Sequence, residues 1–236
     1  MTVPKLNEIL LARGLAPVEG ETAEKFEKFA SLLLEKNRLF NLTAIESEEQ
    51  VAERHFADSL ALFLDPAFRG GRMLDLGCGG GFPGIPVKLY AEGRGIPLEL
   101  LLMDATAKKI AFVEEAAEAL GLRDVRAVSR RAEEAVEEFG RESFDLVTAR
   151  AVSDMRVIAE LAFPYLRVGG AFYAWKTRKA LPEVEDALPS VKLFGGREEG
   201  RIPYGDGVFF LEKCVKLSPT PPRFPRKYAQ IVKKKP

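Results

Sequence analysis

Cysteine is scarce: Cys78 and Cys214 are the two among 236 residues. Their separation fits neither a disulfide framework nor a zinc site, both of which need paired cysteines. No metal is expected, and a reduced, cytoplasmic protein is. Long apolar runs are missing as well. The first five residues lack the run that opens a signal peptide, and no uninterrupted stretch is long enough to span a membrane. Net charge is absent, with 35 basic against 35 acidic residues, so the molecule as a whole exerts no long-range pull on a polyanion. Histidine occurs once, at His55, and no internal repeat is visible.

The zero sum hides a segregation. From Lys213 onward there are eight basic residues and no acid, which leaves the rest of the chain eight charges negative. A basic end on an acidic body is a pattern for anion contact, or else a solubilising terminus. At 47% hydrophobic, the chain has enough apolar residues to bury a substantial core in one large globular unit.

The first third has helical spacing: Phe26, Phe29, Ala30, Leu33 and Leu34 recur on one face, and a second amphipathic run spans 48–64. Pro66 and Gly70-Gly71 then mark a boundary. From residue 72 strands alternate with helices: strands over 72–76, 98–103, 125–128, 144–148 and 171–175, helices at 86–90, 107–120, 132–139 and 157–166. The runs 191–194 and 208–217, with no long helix between them, read as an antiparallel pair at the sheet edge. The expectation is an α/β protein with a mainly parallel, doubly wound, seven-stranded Rossmann-like sheet. It divides into an N-terminal helical cap (1–66), a core (67–217) and a basic, proline-containing tail (218–236), one structural unit and a monomer.

The most informative stretch is Asp75-Leu76-Gly77-Cys78-Gly79-Gly80-Gly81-Phe82-Pro83-Gly84. An apolar strand ends in an acid, and a glycine-dense turn opens a helix. Such a turn lets a ligand touch bare backbone. Gly79 to Gly84 formally matches the dinucleotide fingerprint, a weak signal alone. Two features point instead to S-adenosylmethionine: the acid-x-Gly-x-Gly form beginning at Asp75, and Pro83 where a dinucleotide loop starts a regular helix. Asp104 ends the second strand and is placed to accept from ribose hydroxyls, with Ala105 and Thr106 beside it. The same aspartate could instead cap the following helix.

At this point the chain resembles the RsmG (GidB) family of methyltransferases, which modify guanine N7 in small-subunit (16S) ribosomal RNA. The motifs that carry the resemblance are Asn41-Leu42-Thr43, His55 with Asp58-Ser59-Leu60, Asp75 to Pro86, Asp104-Ala105-Thr106, Arg131-Ala132-Glu133, Thr148 to Val152, and Pro225-Arg226-Lys227. The resemblance implies contacts to S-adenosylmethionine from Gly77, Phe82, Ala132, Glu133 and Arg150. Asp75 and Gly79 join them from the glycine loop. It also implies 16S ribosomal RNA, or an assembling small subunit, as partner. Cys78 and Gly80 stand where relatives often carry Ser or Thr and Ala. Thr177 replaces a usual glycine, and Tyr228 follows Lys227 where the family tends to Gly and Pro.

Guanine N7 has a free lone pair and no proton, so methyl transfer to it needs no general base. Orientation and desolvation suffice, and no catalytic side chain is assigned. The chain lacks the Asn-Pro-Pro-Tyr type of motif used on exocyclic amines. A cysteine nucleophile for cytosine C5 is poorly supported, with Cys78 in the cofactor loop and Cys214 late. Candidate substrate contacts are Asn41, His55, Lys176, Arg226 and Lys227. His55 is either a partly buried ring bonded to Asp58 or one facing the target base. Trp175 is expected in the core, and the basic tail on phosphates. Two rival readings stay open: a small-molecule methyltransferase of the same fold, and a non-enzymatic nucleoside-binding module.

Overall fold

A computed structural model describes residues 2–40, 42, 43, 45–233 and 236, apart from the side chains of Leu39 and Phe40. Five parallel strands form its centre: β1 (Gly71–Leu76), β2 (Leu98–Asp104), β3 (Val125–Ser129), β4 (Phe144–Arg150) and β5 (Leu166–Thr177). The antiparallel pair β6 (Gly196–Tyr204) and β7 (Phe209–Lys216) completes a seven-stranded sheet in the order β3-β2-β1-β4-β5-β7-β6. The strand order reverses between β1 and β4, and open α/β sheets bind ligands beyond the carboxyl ends at such a switch point.

Two apolar layers cover the sheet. On one face the N-terminal helices α1 (Thr2–Ala12) and α2 (Gly20–Phe40) share a core with α4 (Gly84–Gly93) and α5 (Ala107–Ala119). Phe26, Phe29 and Phe56 are fully buried there beside Ile85 and Phe112. On the other face lie α6 (Val136–Phe139), α7 (Met155–Ala162), α8 (Leu181–Leu193) and the C-terminal α9 (Tyr228–Lys233), whose Ile231 is fully buried.

Four sequence expectations need correction. Residues 191–194 are not a strand. Val191 to Leu193 close α8, and the partner of β7 is Gly196–Tyr204. Pro182 and Pro189 break the helical signal here; Pro182 sits in the first turn, where proline needs no N–H donor, and Pro189 lies inside the helix. The run 48–64 is helical throughout, as expected, but is not one regular α-helix. A short turn α3 (Glu48–Gln50) passes into a π-helix, Val51–Ala57, and then a 3-10 segment, Leu60–Leu64. Ala132 and Glu133 lie in a turn, with helix only at Val136–Phe139. The helix expected over 157–166 ends at Ala162, and Leu166 opens β5.

Candidate functional site

The loop after β1 is shaped by Asp75. Its carboxylate is fully buried and accepts the Gly84 N–H at 2.8 Å and the Thr148 hydroxyl at 3.1 Å. This cross-brace ties β1 to the start of α4 and to β4. Burial pushes the Asp75 carboxyl up to about 7, against those two donors. The aspartate therefore sits beneath the loop as its support. Glycine is required at the return: a Cβ on Gly84 would fall 2.5 Å from Leu102 Cδ2 and 2.9 Å from Asp75 Oδ2. Gly77 and Gly79 both have positive φ, 70° and 56°. A Cβ on Gly77 would strike Val152 Cγ2 at 2.6 Å, whereas the space beside Gly79 is open.

Asp104 closes the other side. Its Oδ2 accepts the Gly79 N–H at 3.1 Å and its Oδ1 the Thr106 N–H at 2.8 Å, so one carboxylate fixes the loop and the entry of α5 together. Lys109 lies 3.9 Å from it. The capping role is thus present, and Asp104 also borders a cavity of about 230 Å³ with Met103, Ala105, Ala132, Glu133 and Tyr228. The Ala132 carbonyl accepts from the buried Tyr165 hydroxyl at 2.7 Å, which pins this turn from below. Glu133 accepts from Arg131 Nε at 2.6 Å.

Gly77 also borders a second cavity, about 210 Å³, together with Cys78, Phe82, Lys109, His55 and Arg150. Phe82 stacks on His55, centroids 4.2 Å apart and planes 9° apart, with Phe29 5.4 Å from its ring. His55 does not bond Asp58, which pairs with Arg13 at 3.2 Å. The imidazole Nε2 lies 2.9 Å from Thr43 Oγ1, and Arg150 approaches Nδ1 at 3.4 Å. A guanidinium can only donate, so Nδ1 is the acceptor and Nε2–H points to Thr43. Burial, then the charge of Arg150, lowers the His55 pKa to about 3. The ring is neutral at pH 7. Burial raises the Cys78 thiol far above its usual range, so it is an inert thiol.

Arg150 is not a surface ion pair. Its guanidinium donates to the carbonyls of Arg54 and His55 and, at 2.9 Å, to Ser59 Oγ. It thereby fastens the end of β4 to the π-helix, and it borders a third cavity of about 390 Å³. Arg54, Asp58, Trp175, Lys176, Tyr204 and Phe209 also line that cavity. Arg150 and Ala151 are common to it and the second cavity, and Val152 and Ile158 to it and the first. Three spaces therefore converge on the carboxyl ends of β1 and β4. A larger cavity, about 730 Å³, opens at the amino ends of β1 and β2, where Lys88 pairs with Glu92.

The remaining sequence candidates separate. Lys176 borders the third cavity, bonded to Glu183 at 2.8 Å and to the Ser153 carbonyl at 3.0 Å. Trp175 is 7% exposed and donates to the Asp58 carbonyl at 2.7 Å, a core position as expected. Arg226 is engaged with buried Glu160, away from these cavities. Lys227 is exposed and immediately precedes α9. Asn41 lies outside the described residues. Arg54, Tyr204, Phe209, Arg131 and Tyr228 were given no site role in the sequence. The nearest signals were the position of Arg54 beside His55 and that of Arg131 inside a recognised motif. Among the described residues, no group of three or more His, Cys, Asp or Glu is placed to hold a metal ion. None of their helices is long and apolar enough to cross a membrane.

A sheet of this order, with a glycine loop after β1 and an acid ending β2, is the Rossmann-like fold of class I methyltransferases. Solved structures share it. The PH0226 protein of Pyrococcus horikoshii superposes with a TM-score of 0.54 at 20% identity, over 77% of this chain and 98% of that one. The 16S rRNA N2 methyltransferase RsmC of T. thermophilus, solved with AdoMet and guanosine, gives 0.50 at 21% identity over 72% and 41%.

The model of the family rRNA small subunit methyltransferase G matches residues 22–199. Proteins named ribosomal RNA small subunit methyltransferase G are 42% identical in Caldicellulosiruptor bescii, over 88% of this chain and 89% of that one, and 35% identical in Brevibacillus brevis, over 100% and 99%. The chain belongs to the rRNA small subunit methyltransferase G family.

Proposed function

We propose that the protein transfers a methyl group from S-adenosylmethionine to N7 of a guanine in small-subunit (16S) ribosomal RNA, in the cytoplasm and as a monomer. The observation that carries this reading is the convergence of three cavities at Gly77, Arg150, Ala151 and Val152. The donor set suits the cofactor. Asp104 and Glu133 are acceptors for ribose hydroxyls and an exocyclic amine, and Met103, Ala105 and Ala132 are apolar walls for a flat ring. The open space at Gly79 leaves bare backbone beside the second cavity. When bound, the cofactor supplies an electrophilic methyl group.

The protein's own part is orientation and exclusion of water. Gly77 borders both of the first two cavities, and Phe82 with the neutral His55 stacked on it lines the second. The third cavity is the proposed site of the base, with aromatic walls at Tyr204 and Phe209 and cations at Arg54 and Lys176. A base that enters it is unpaired or flipped out. The inert Cys78 and neutral His55 suit a target nitrogen that carries no proton. Purified protein, labelled S-adenosylmethionine and unmodified small subunits or 16S RNA test the reading. Label should enter the RNA. Label found on small metabolites alone would favour the small-molecule alternative, and failure to bind the cofactor a non-enzymatic module.

A further inference from the structure

The C-terminal segment is bound to the body at points from Thr220 to Ile231. The Thr220 hydroxyl donates to the Phe194 carbonyl at 2.8 Å and the Thr220 N–H to Glu142 at 2.7 Å. Phe224, 1% exposed, packs edge-on against Phe194 with centroids 4.9 Å apart. Arg226 forks onto Glu160, and the Ile231 carbonyl accepts from Arg156 at 2.7 Å. These anchors fix α9 so that Tyr228, its first residue, borders the 230 Å³ cavity.

Arg131 borders the same cavity. Its guanidinium lies 4.7 Å from the centre of the Tyr228 ring, and its Nε holds Glu133. Ring, cation and carboxylate thus form one line of contacts along one cavity. The Glu133 side chain is 7% exposed and that of Arg131 44%. Tyr228 is 37% exposed. An exposed ring-and-guanidinium contact adds little to stability, and neither side chain is needed to fill a core.

We propose that Tyr228 and Arg131 are positioning residues for the cofactor, and that the C-terminal helix completes the purine end of its cavity. This rests on the cofactor reading above. An aromatic ring and a guanidinium plane are both surfaces that favour a purine. Arg131 occupies one oxygen of Glu133 and fixes the carboxylate as acceptor for an exocyclic amine. The segment whose basic residues suggested RNA contact therefore serves the cofactor with its one aromatic residue in α9.

Calorimetric titration of the full-length chain with S-adenosylhomocysteine decides the matter. Tyr228→Ala should raise Kd about tenfold, a typical loss for one stacking contact. Tyr228→Phe should stay close to wild type. Arg131→Ala should also weaken binding, with Arg131→Lys restoring it in part because the lysine lacks the planar face. Thermal midpoints without ligand should not move, which separates this role from a structural one. Unchanged Kd in both alanine variants, with wild type binding normally, overturns the proposal. So does a fall in RNA affinity with cofactor affinity intact, which would make Tyr228 and Arg131 RNA contacts. A wild type that fails to bind S-adenosylhomocysteine overturns the cofactor reading itself.

Discussion

Arg226 closes a two-pronged ion pair on Glu160, with Nε 2.8 Å from one carboxylate oxygen and a terminal nitrogen 2.6 Å from the other. Glu160 is fully buried in α7. Removing one partner of such a pair leaves a buried charge without compensation. Arg226→Ala should destabilise the fold by about 3–5 kcal/mol, read from urea unfolding. A change within about 0.5 kcal/mol would return Arg226 to the surface, where substitutions have effects of that size.

Arg150 joins β4 to the π-helix through the carbonyls of Arg54 and His55. Arg150→Ala leaves these acceptors without their donor and should cost about 1–3 kcal/mol of stability. Methyl transfer should fall further, since Arg150 borders both the second and third cavities. Arg150→Lys should restore little, because one ammonium cannot replace a planar fork. Full rescue by lysine would show that charge alone matters.

Asp104 has two jobs on one carboxylate, the loop at Gly79 and the start of α5. Asp104→Ala should weaken cofactor binding by about 1.5–3 kcal/mol, the range for hydrogen bonds to a charged group. Calorimetry reads this directly. Unchanged affinity would reduce Asp104 to a capping residue.

His55 is the one histidine, so its imidazole signal in proton NMR is unambiguous. Its folded pKa of about 3 lies below the ordinary 6.5. Between those values the unfolded chain binds a proton that the folded chain does not. The stability His55 contributes is therefore fully present above about pH 6.5 and falls as pH drops towards 3, by up to about 1.4 kcal/mol per pH unit. The ring signal should not shift between pH 8 and 5, and His55→Phe should flatten the acid limb of the stability curve. A titration midpoint near 6.5 would place the ring in water rather than against Phe82.

Five strands and the glycine loop were legible because buried parallel strands read as short apolar runs closed by glycine or an acid. β6 was missed for the opposite reason. Its sequence, Gly-Arg-Glu-Glu-Gly-Arg-Ile-Pro-Tyr, is that of a charged edge strand without apolar alternation. α8 hid behind Pro182 and Pro189. The charge of the C-terminus was read correctly, but not its pairing. Lys213 bonds Asp65 and Glu199, Lys216 bonds Glu142, and Arg226 bonds Glu160, partners 66 to 148 residues away for all but Glu199. Such pairings belong to tertiary structure and leave no trace in composition. Arg223, Lys227 and Lys233 remain at the surface.

The central claim is the identity of the methylated atom. Small-subunit RNA treated with the protein and S-adenosylmethionine should be digested and its modified nucleoside identified by mass spectrometry. The account predicts N7-methylguanosine at one site, and none when Arg150→Ala replaces the wild type. Methyl on an exocyclic amine, on a ribose or on a pyrimidine would contradict it.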